Sequence, residues 1–272
     1  MTQPVSIVGA SVAGLYAGYR LAKGGKPVTI YEARPNLTPP PRTLIVTSAW
    51  LRLLDFNPEL AVVNRIRRFE LISRSESASV RLSDPDLILE RQAFVELLSN
   101  QVKAAGISIL PNHRLDHLVA NGSGYELHLE NGSGATRTSA AHVLGADGID
   151  SVTAQAASDH HAHAVALLQA RVPLPADLAP DTVRVVFDRG ASRFFFWLIP
   201  ESPTAAVAGL IHDTPEEARQ ALASFLADRD LQPIDGHQGA RVPMAPVRLA
   251  AGDHAGDGRL MLVGDAAAQV KT

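Results

Sequence analysis

The residues best placed to do chemistry stand at the start of the chain. An apolar run, Val5-Ser6-Ile7-Val8, breaks at Gly9-Ala10-Ser11-Val12-Ala13-Gly14. A small-residue helix is expected from about Ser11 to Lys23, with Gly24-Gly25 as its stop. A second apolar run, Val28-Thr29-Ile30-Tyr31, ends on Glu32, 23 positions after Gly9. Strand, glycine turn, helix and second strand with a terminal acid make a βαβ unit of the kind that grips the ADP half of a dinucleotide. Gly9 allows a sharp turn off the strand, and Gly14 allows the helix to lie close to the sheet. The N–H groups at the helix start, those of Ser11, Val12 and Ala13, can bind a pyrophosphate with help from the helix dipole. Glu32 can accept hydrogen bonds from ribose hydroxyls. Ser11 replaces the usual middle glycine, and its hydroxyl is expected to donate to a phosphate oxygen.

The rest of the chain supplies the elements that position this turn. A proline-rich stretch, Thr38-Pro39-Pro40-Pro41, predicts a stiff extended loop that delivers Arg42. Thr47 to Leu54 has helical spacing of Trp50, Leu51 and Leu54. Arg68–Ser73, Ser77–Leu82 and Leu87–Leu89 read as strands. Arg91 opens a helix whose apolar stripe is Phe94, Leu97, Leu98 and Val102, stopped by Gly106. After a buried strand at Ile107–Leu110 come three short strands, Leu115–Val119, Tyr125–Glu130 and Thr136–Ala140, with Asn-Gly hairpin signals between them. Further on, Thr182–Phe187, Arg193–Ile199 and Ala205–Ile211 read as strands and Pro215–Leu226 as a helix.

Composition narrows the function classes. The chain has 272 residues, a formal net charge of −3 and no cysteine. Disulfides, thiolate metal sites and cysteine catalysis are excluded. No basic face is implied, so nucleic acid is not an expected partner. There is no secretory leader pattern and no apolar run long enough to span a bilayer, which points to the cytoplasm and leaves room for peripheral membrane contact. Asp159-His160-His161-Ala162-His163 has the imidazole density of a metal site. With no cysteine and no strand geometry it reads as a solvated linker, and no metal is expected.

Two more turns complete the pattern. Val143-Leu144-Gly145-Ala146-Asp147-Gly148 delivers an Asp-Gly pair from a strand, and Leu262-Val263-Gly264-Asp265 does the same near the end. Three motifs in this order resemble the FAD-dependent oxidoreductases of the aromatic hydroxylase type, a group that includes geranylgeranyl reductases and flavin-dependent halogenases. The resemblance implies an α/β fold: a three-layer Rossmann-like FAD-binding domain with a small β-meander, plus an antiparallel-sheet substrate domain. It places residues 1–65, 87–155 and 243–272 in the first domain and 66–86 and 156–242 in the second. It implies FAD contacts from Gly9, Ser11, Val12, Ala13, Gly14, Glu32, Arg42, Arg91, Asp147, Gly148, Gly264 and Asp265, and NAD(P)H as electron donor. The run Phe194-Phe195-Phe196-Trp197 resembles an aromatic strand that lies over the flavin in the family. Alternation separates Phe195 and Trp197, expected to line a pocket for an apolar small molecule, from Phe194 and Phe196; a reading of both pairs as core stays open.

Subclass follows from smaller features. The tail Gly264-Asp265-Ala266-Ala267-Ala268-Gln269-Val270-Lys271 resembles geranylgeranyl reductases, which implies an alkene reductase. An aromatic monooxygenase using NAD(P)H and oxygen is the alternative, and a non-catalytic FAD-binding protein the second. A halogenase would need a lysine that is absent between Lys26 and Lys103. The arginine that usually follows the Asp-Gly-x-x-Ser pattern is replaced by Val152-Thr153-Ala154, which weakens the case for nicotinamide handling. The family continues after Gly-Asp into a Pro- and Gly-rich turn and a helix, so the expectation is a C-terminally truncated member with poor turnover.

Overall fold

The computed structural model describes residues 4–157, 163–247 and 259–270. Along the chain run β1 (Val5–Val8), α1 (Val12–Lys23), β2 (Val28–Tyr31), β3 (Thr43–Val46), β4 (Val62–Ile72), β5 (Ser77–Glu90) and α2 (Arg91–Ala104). Then come β6 (Ser108–Leu110), β7 (Arg114–Ala120), β8 (Tyr125–Asn131), β9 (Gly134–Ala140), β10 (His142–Gly145) and α3 (Val152–Ala157). The remainder comprises β11 (His163–Pro173), β12 (Thr182–Val186), β13 (Phe196–Pro200), β14 (Ala205–His212), α4 (Pro215–Ala227), β15 (Gln238–Met244) and β16 (Leu260–Leu262). The chain divides into two compact units: Met1–Pro39, Val95–His163 and Pro243–Thr272 form one, and Pro40–Phe94 with Ala164–Val242 form the other.

The first unit is built on a five-stranded sheet in the order β16-β10-β1-β2-β6, with every paired neighbour parallel. Parallel strands are buried on both faces, which explains four buried residues in succession in β1. Helix α1 covers one face, where Gly18 sits close over Ile7 and Ile30. The opposite face, with Val8, Tyr31 and Val143, packs on Leu115, Leu127, Leu129 and Ala140 of the antiparallel meander β7-β8-β9. Helix, sheet and meander are the three layers expected from the sequence. Ser11 caps α1 by accepting the Gly14 N–H at 3.2 Å, and Gly24 closes it.

The second unit is an eight-stranded sheet in the order β15-β11-β14-β13-β12-β4-β5-β3, antiparallel at five of its strand pairings and parallel between β12 and β4. Helix α4 covers one face. Thr214 caps it by accepting the Glu217 N–H, and Pro215 follows at the first turn. Phe225 of α4 stacks on Phe196 with centroids 4.5 Å apart, inside a core that includes Leu198, Ala208, Leu210 and Leu222.

Three details differ from the sequence reading. Ser77–Leu82 and Leu87–Leu89 are one strand, β5. Its pairing with β4 lapses between Arg81 and Asp86, and that gap accommodates Pro85 without a ladder bond. Thr47–Leu54 holds a 3-10 turn, Ser48–Leu53, with no buried residue. β3 and the start of β4 pair with β5, so residues 40–65 and 87–94 group with the second unit rather than the first.

Candidate functional site

In the first unit the three turns read from the sequence meet at the C-terminal ends of neighbouring parallel strands, β1, β10 and β16. In open α/β sheets ligands bind at that edge, where the strand order switches direction. The Ala146 N–H donates to the Val8 carbonyl at 2.8 Å, which joins the first and second turns. Gly9 has φ +100°, and a Cβ there would lie 2.4 Å from the Ala146 carbonyl oxygen. A Cβ on Gly14 would lie 2.1 Å from the Gly9 carbonyl oxygen. Only glycine permits this approach of helix to turn. Gly264 packs in turn against Ala13, its own Cβ position 3.1 Å from the Ala13 Cβ.

The cradle fits a pyrophosphate. The first-turn N–H groups of Val12 and Ala13 have no acceptor one turn back in the helix. Nothing lies within 4 Å of where a Gly148 Cβ would stand, so that side of the edge is open. The Ser11 hydroxyl is a correction to the sequence reading. It donates to the Ala146 carbonyl at 3.0 Å while accepting from Gly14, so its single proton is committed within the fold and the donors this turn could offer an anion are backbone N–H groups.

Glu32 lies at the end of β2, buried at 5% exposure. One carboxylate oxygen accepts the Ala10 N–H at 2.7 Å; the other accepts the Arg34 N–H at 3.0 Å and its Nε at 2.8 Å. Burial alone would push this carboxyl up. The hydrogen bond from the Arg34 side chain, the two backbone N–H groups and the guanidinium charge outweigh it, and the pKa lies below the ordinary value. An ionised acceptor therefore stands beside the glycine turn.

Asp147 behaves differently. Its carboxylate accepts from the Ser151 hydroxyl, the Thr153 hydroxyl and the Thr153 N–H, at 2.5 to 3.1 Å. Ser151 also accepts the Ala154 N–H at 2.8 Å, so the two side chains together cap α3. The side chain of Asp147 thus shapes its own turn, and the backbone at Gly148 is what this motif presents. Asp265 is exposed in a 3-10 turn, Gly264–Ala267, closed by the Gln269 side chain on the Gly264 N–H at 2.9 Å.

Arg42 and Arg91 lie in the second unit. The Arg91 N–H donates to the Arg42 carbonyl at 3.1 Å, and both residues line a cleft of about 940 Å³. Thr43, Glu90, Arg171, Glu201, Asp235 and His237 also face it. Glu201 accepts from the Thr43 hydroxyl and from Arg171 Nε, the latter at 3.0 Å. Nothing in the sequence points to Arg171 and Glu201, since neither sits in a motif. Phe195 and Trp197 are not among the residues lining this cleft. Trp197 is 7% exposed, with its ring over Gly209, where a Cβ would lie 2.5 Å from Cζ2. Phe195 is half-buried, 6.1 Å from Trp197 on one side and 6.1 Å from the exposed Phe187 on the other.

His160 and His161 lie outside the described residues, and His163 opens β11 as an exposed residue. Among the described residues no group of three or more His, Asp or Glu could hold a metal ion, and no helix is long and apolar enough to cross a membrane.

A family model described as FAD binding domain matches residues 2–271. No curated protein matches the chain. Among solved structures the fold is similar to that of a geranylgeranyl bacteriochlorophyll reductase-like protein from Thermoplasma acidophilum, at 19% identity and a TM-score of 0.83, over 99% of this chain and 72% of that one. It is similar to flavin-dependent brominase Bmp2 at 15% identity and a TM-score of 0.73, covering 98% and 72% of the two chains. It is also similar to a variant of 2-methyl-3-hydroxypyridine-5-carboxylic acid oxygenase at 19% identity and a TM-score of 0.66, covering 98% and 76%.

Proposed function

The chain belongs to the FAD binding domain family, and from that premise we propose that it reduces a carbon–carbon double bond in an apolar, isoprenoid-like substrate. It is an FAD-dependent oxidoreductase. In this reading the Gly9–Gly14 turn takes the cofactor pyrophosphate on the Val12 and Ala13 N–H groups. Glu32 accepts from the adenosine ribose, and the backbone of Gly148 with Gly264 and Asp265 flanks the rest of the cofactor. In the same reading Arg42 and Arg91 are cofactor contacts. Bound FAD supplies two-electron transfer, with NAD(P)H as the donor. The chain's own part is to bind, to orient and to keep water from the reacting carbons.

One observation carries the apolar substrate. Phe187, Phe195 and Trp197 form a line of tilted and edge-on rings from an exposed position to a buried one. A graded aromatic surface suits a long apolar chain, whose burial is worth ~0.8 kcal/mol per methylene. The fold likeness to the reductase-like protein supports the same reading. The test is an anaerobic incubation with FAD, NADPH and geranylgeraniol. Products heavier by two hydrogens per reduced bond are expected under argon as in air. Conversion that stops without oxygen would remove the reductase reading.

The cleft favours a second reading. Three arginines, Arg42, Arg91 and Arg171, line it together with carboxylates, a setting suited to a polar aromatic acid hydroxylated with oxygen. The same pair of atmospheres separates the two, since hydroxylation requires oxygen and adds an oxygen atom to the product.

A further inference from the structure

We infer that Glu201 and Thr43 are positioning residues that hold the Arg42 turn in its cofactor-binding place. The inference rests on the reading of Arg42 and Arg91 as FAD contacts. Pro39, Pro40 and Pro41 precede Arg42 and carry no N–H, so the approach to this arginine has no backbone donors with which to anchor itself. Thr43 then begins β3, the terminal strand of the eight-stranded sheet, paired with β5 alone among the described strands. An edge strand preceded by a donor-free loop needs other ties. Two of the ties that the described residues make here bear on Arg42. The Arg91 N–H donates to the Arg42 carbonyl at 3.1 Å, and the Thr43 hydroxyl donates to Glu201, just past the end of β13.

Glu201 can serve as a fixed post because its other oxygen accepts Arg171 Nε at 3.0 Å, and its side chain is only 19% exposed. Asp235 lies 3.8 Å from the far side of Arg171. A hydroxyl bonded to a partly buried, ion-paired carboxylate is stronger than one bonded to a neutral acceptor. Thr43 and Glu201 are 158 residues apart, so the bond closes the cleft wall between two strands that no local turn connects. It fixes Thr43, and with it the adjacent Arg42 peptide to which Arg91 is bonded. Neither Thr43 nor Glu201 needs to touch the cofactor.

The test is FAD titration of the full chain, read by quenching of flavin fluorescence, with the unfolding midpoint of each variant as a folding control. Thr43→Val and Glu201→Ala are each expected to weaken FAD binding ~10-fold, and the double variant no more than ~20-fold, because the two residues act through one bond. Thr43→Ser restores the hydroxyl and is expected to bind within about twofold of the parent, a rescue that a purely structural threonine methyl would not give. Glu201→Gln keeps an acceptor for Thr43 and serves if the alanine variant does not fold; it is expected to bind more tightly than Thr43→Val. Folded Thr43→Val with parental affinity, additive losses in the double variant, or a serine variant as weak as the valine one would each overturn the inference. Arg42→Ala separates the two levels. If it weakens FAD while Thr43→Val does not, only the positioning role fails. If Arg42→Ala binds FAD as the parent does, the cofactor reading of this turn fails and takes the positioning role with it.

Discussion

Replacing Glu32 tests both the site and the physical account of it. The carboxylate has two duties: it holds the glycine turn through the Ala10 N–H, and in the proposed complex it accepts from the ribose. Ala10 is fully buried, so Glu32→Ala leaves its N–H without water or acceptor, at a cost of ~1–3 kcal/mol. The side chain of Arg34 is 38% exposed and rehydrates, so that ion pair adds under ~1 kcal/mol. The expected loss of stability without FAD is therefore ~1–4 kcal/mol, a large part of a typical domain's ~5–15 kcal/mol. Urea unfolding at pH 7 measures it. The pH dependence supplies the sign. The folded pKa lies below the ordinary 4.5, so the stabilisation is fully present above that value and is lost as pH falls through the lowered folded pKa. The gap between the parent and Glu32→Gln should then close in that acid window. A gap of equal size on both sides of it, or none at pH 7, would refute the charged-acceptor account. FAD titration of the same variants adds the second duty: affinity equal to the parent's would remove the ribose contact and leave the turn-holding role standing.

Three other outcomes follow from the geometry. Gly14→Ala places a Cβ 2.1 Å from the Gly9 carbonyl oxygen, which the backbone can relieve only by opening the turn; a loss of ~1–3 kcal/mol or more and of FAD retention is expected, from unfolding curves and absorbance after desalting. Ser11→Ala removes a helix cap and should cost ~1 kcal/mol in unfolding experiments. Its effect on FAD affinity should stay within about threefold, because the hydroxyl proton belongs to Ala146, and a larger drop would return Ser11 to the phosphate. Gly209→Ala puts a Cβ 2.5 Å from the Trp197 ring and 2.7 Å from the Gln169 Cβ. It should destabilise by ~1–3 kcal/mol and change the Trp197 signal in near-UV circular dichroism; an unchanged spectrum would mean that the ring is not held there.

What the sequence made legible was local. The Gly9 turn, the stop of α1 at Gly24, the meander and the Asp147 and Gly264 turns all lie within a few residues of the elements that create them. Periodicity also found α4 and the strands around it. The elements it missed depend on distant partners. β11 is apolar without clean alternation because its middle residues are covered on both faces. β3 is recognisable only through its pairing with β5. The sequence alone points the Ser11 hydroxyl at a ligand, because the Ala146 carbonyl that accepts from it is 135 residues away. The charged cleft was invisible for the same reason: Thr43, Arg171 and Glu201 come from three separated stretches, and a lone arginine in a strand carries no signal of its own.

The parallel sheet of the first unit also constrains the order in which the protein can assemble. β16 pairs with β10, yet all of β11 to β15 lies between them in the chain. A growing polypeptide can therefore form the Gly9 and Asp147 turns early, on a sheet whose edge strand has not been synthesised. The Gly264 turn, which closes against Ala13, arrives only after the second unit has emerged. Until then β10 presents an unpaired edge, open to mispairing with any extended segment. Completion of this sheet edge thus waits on synthesis of the second unit, and loading of the cofactor reports that β16 has been made.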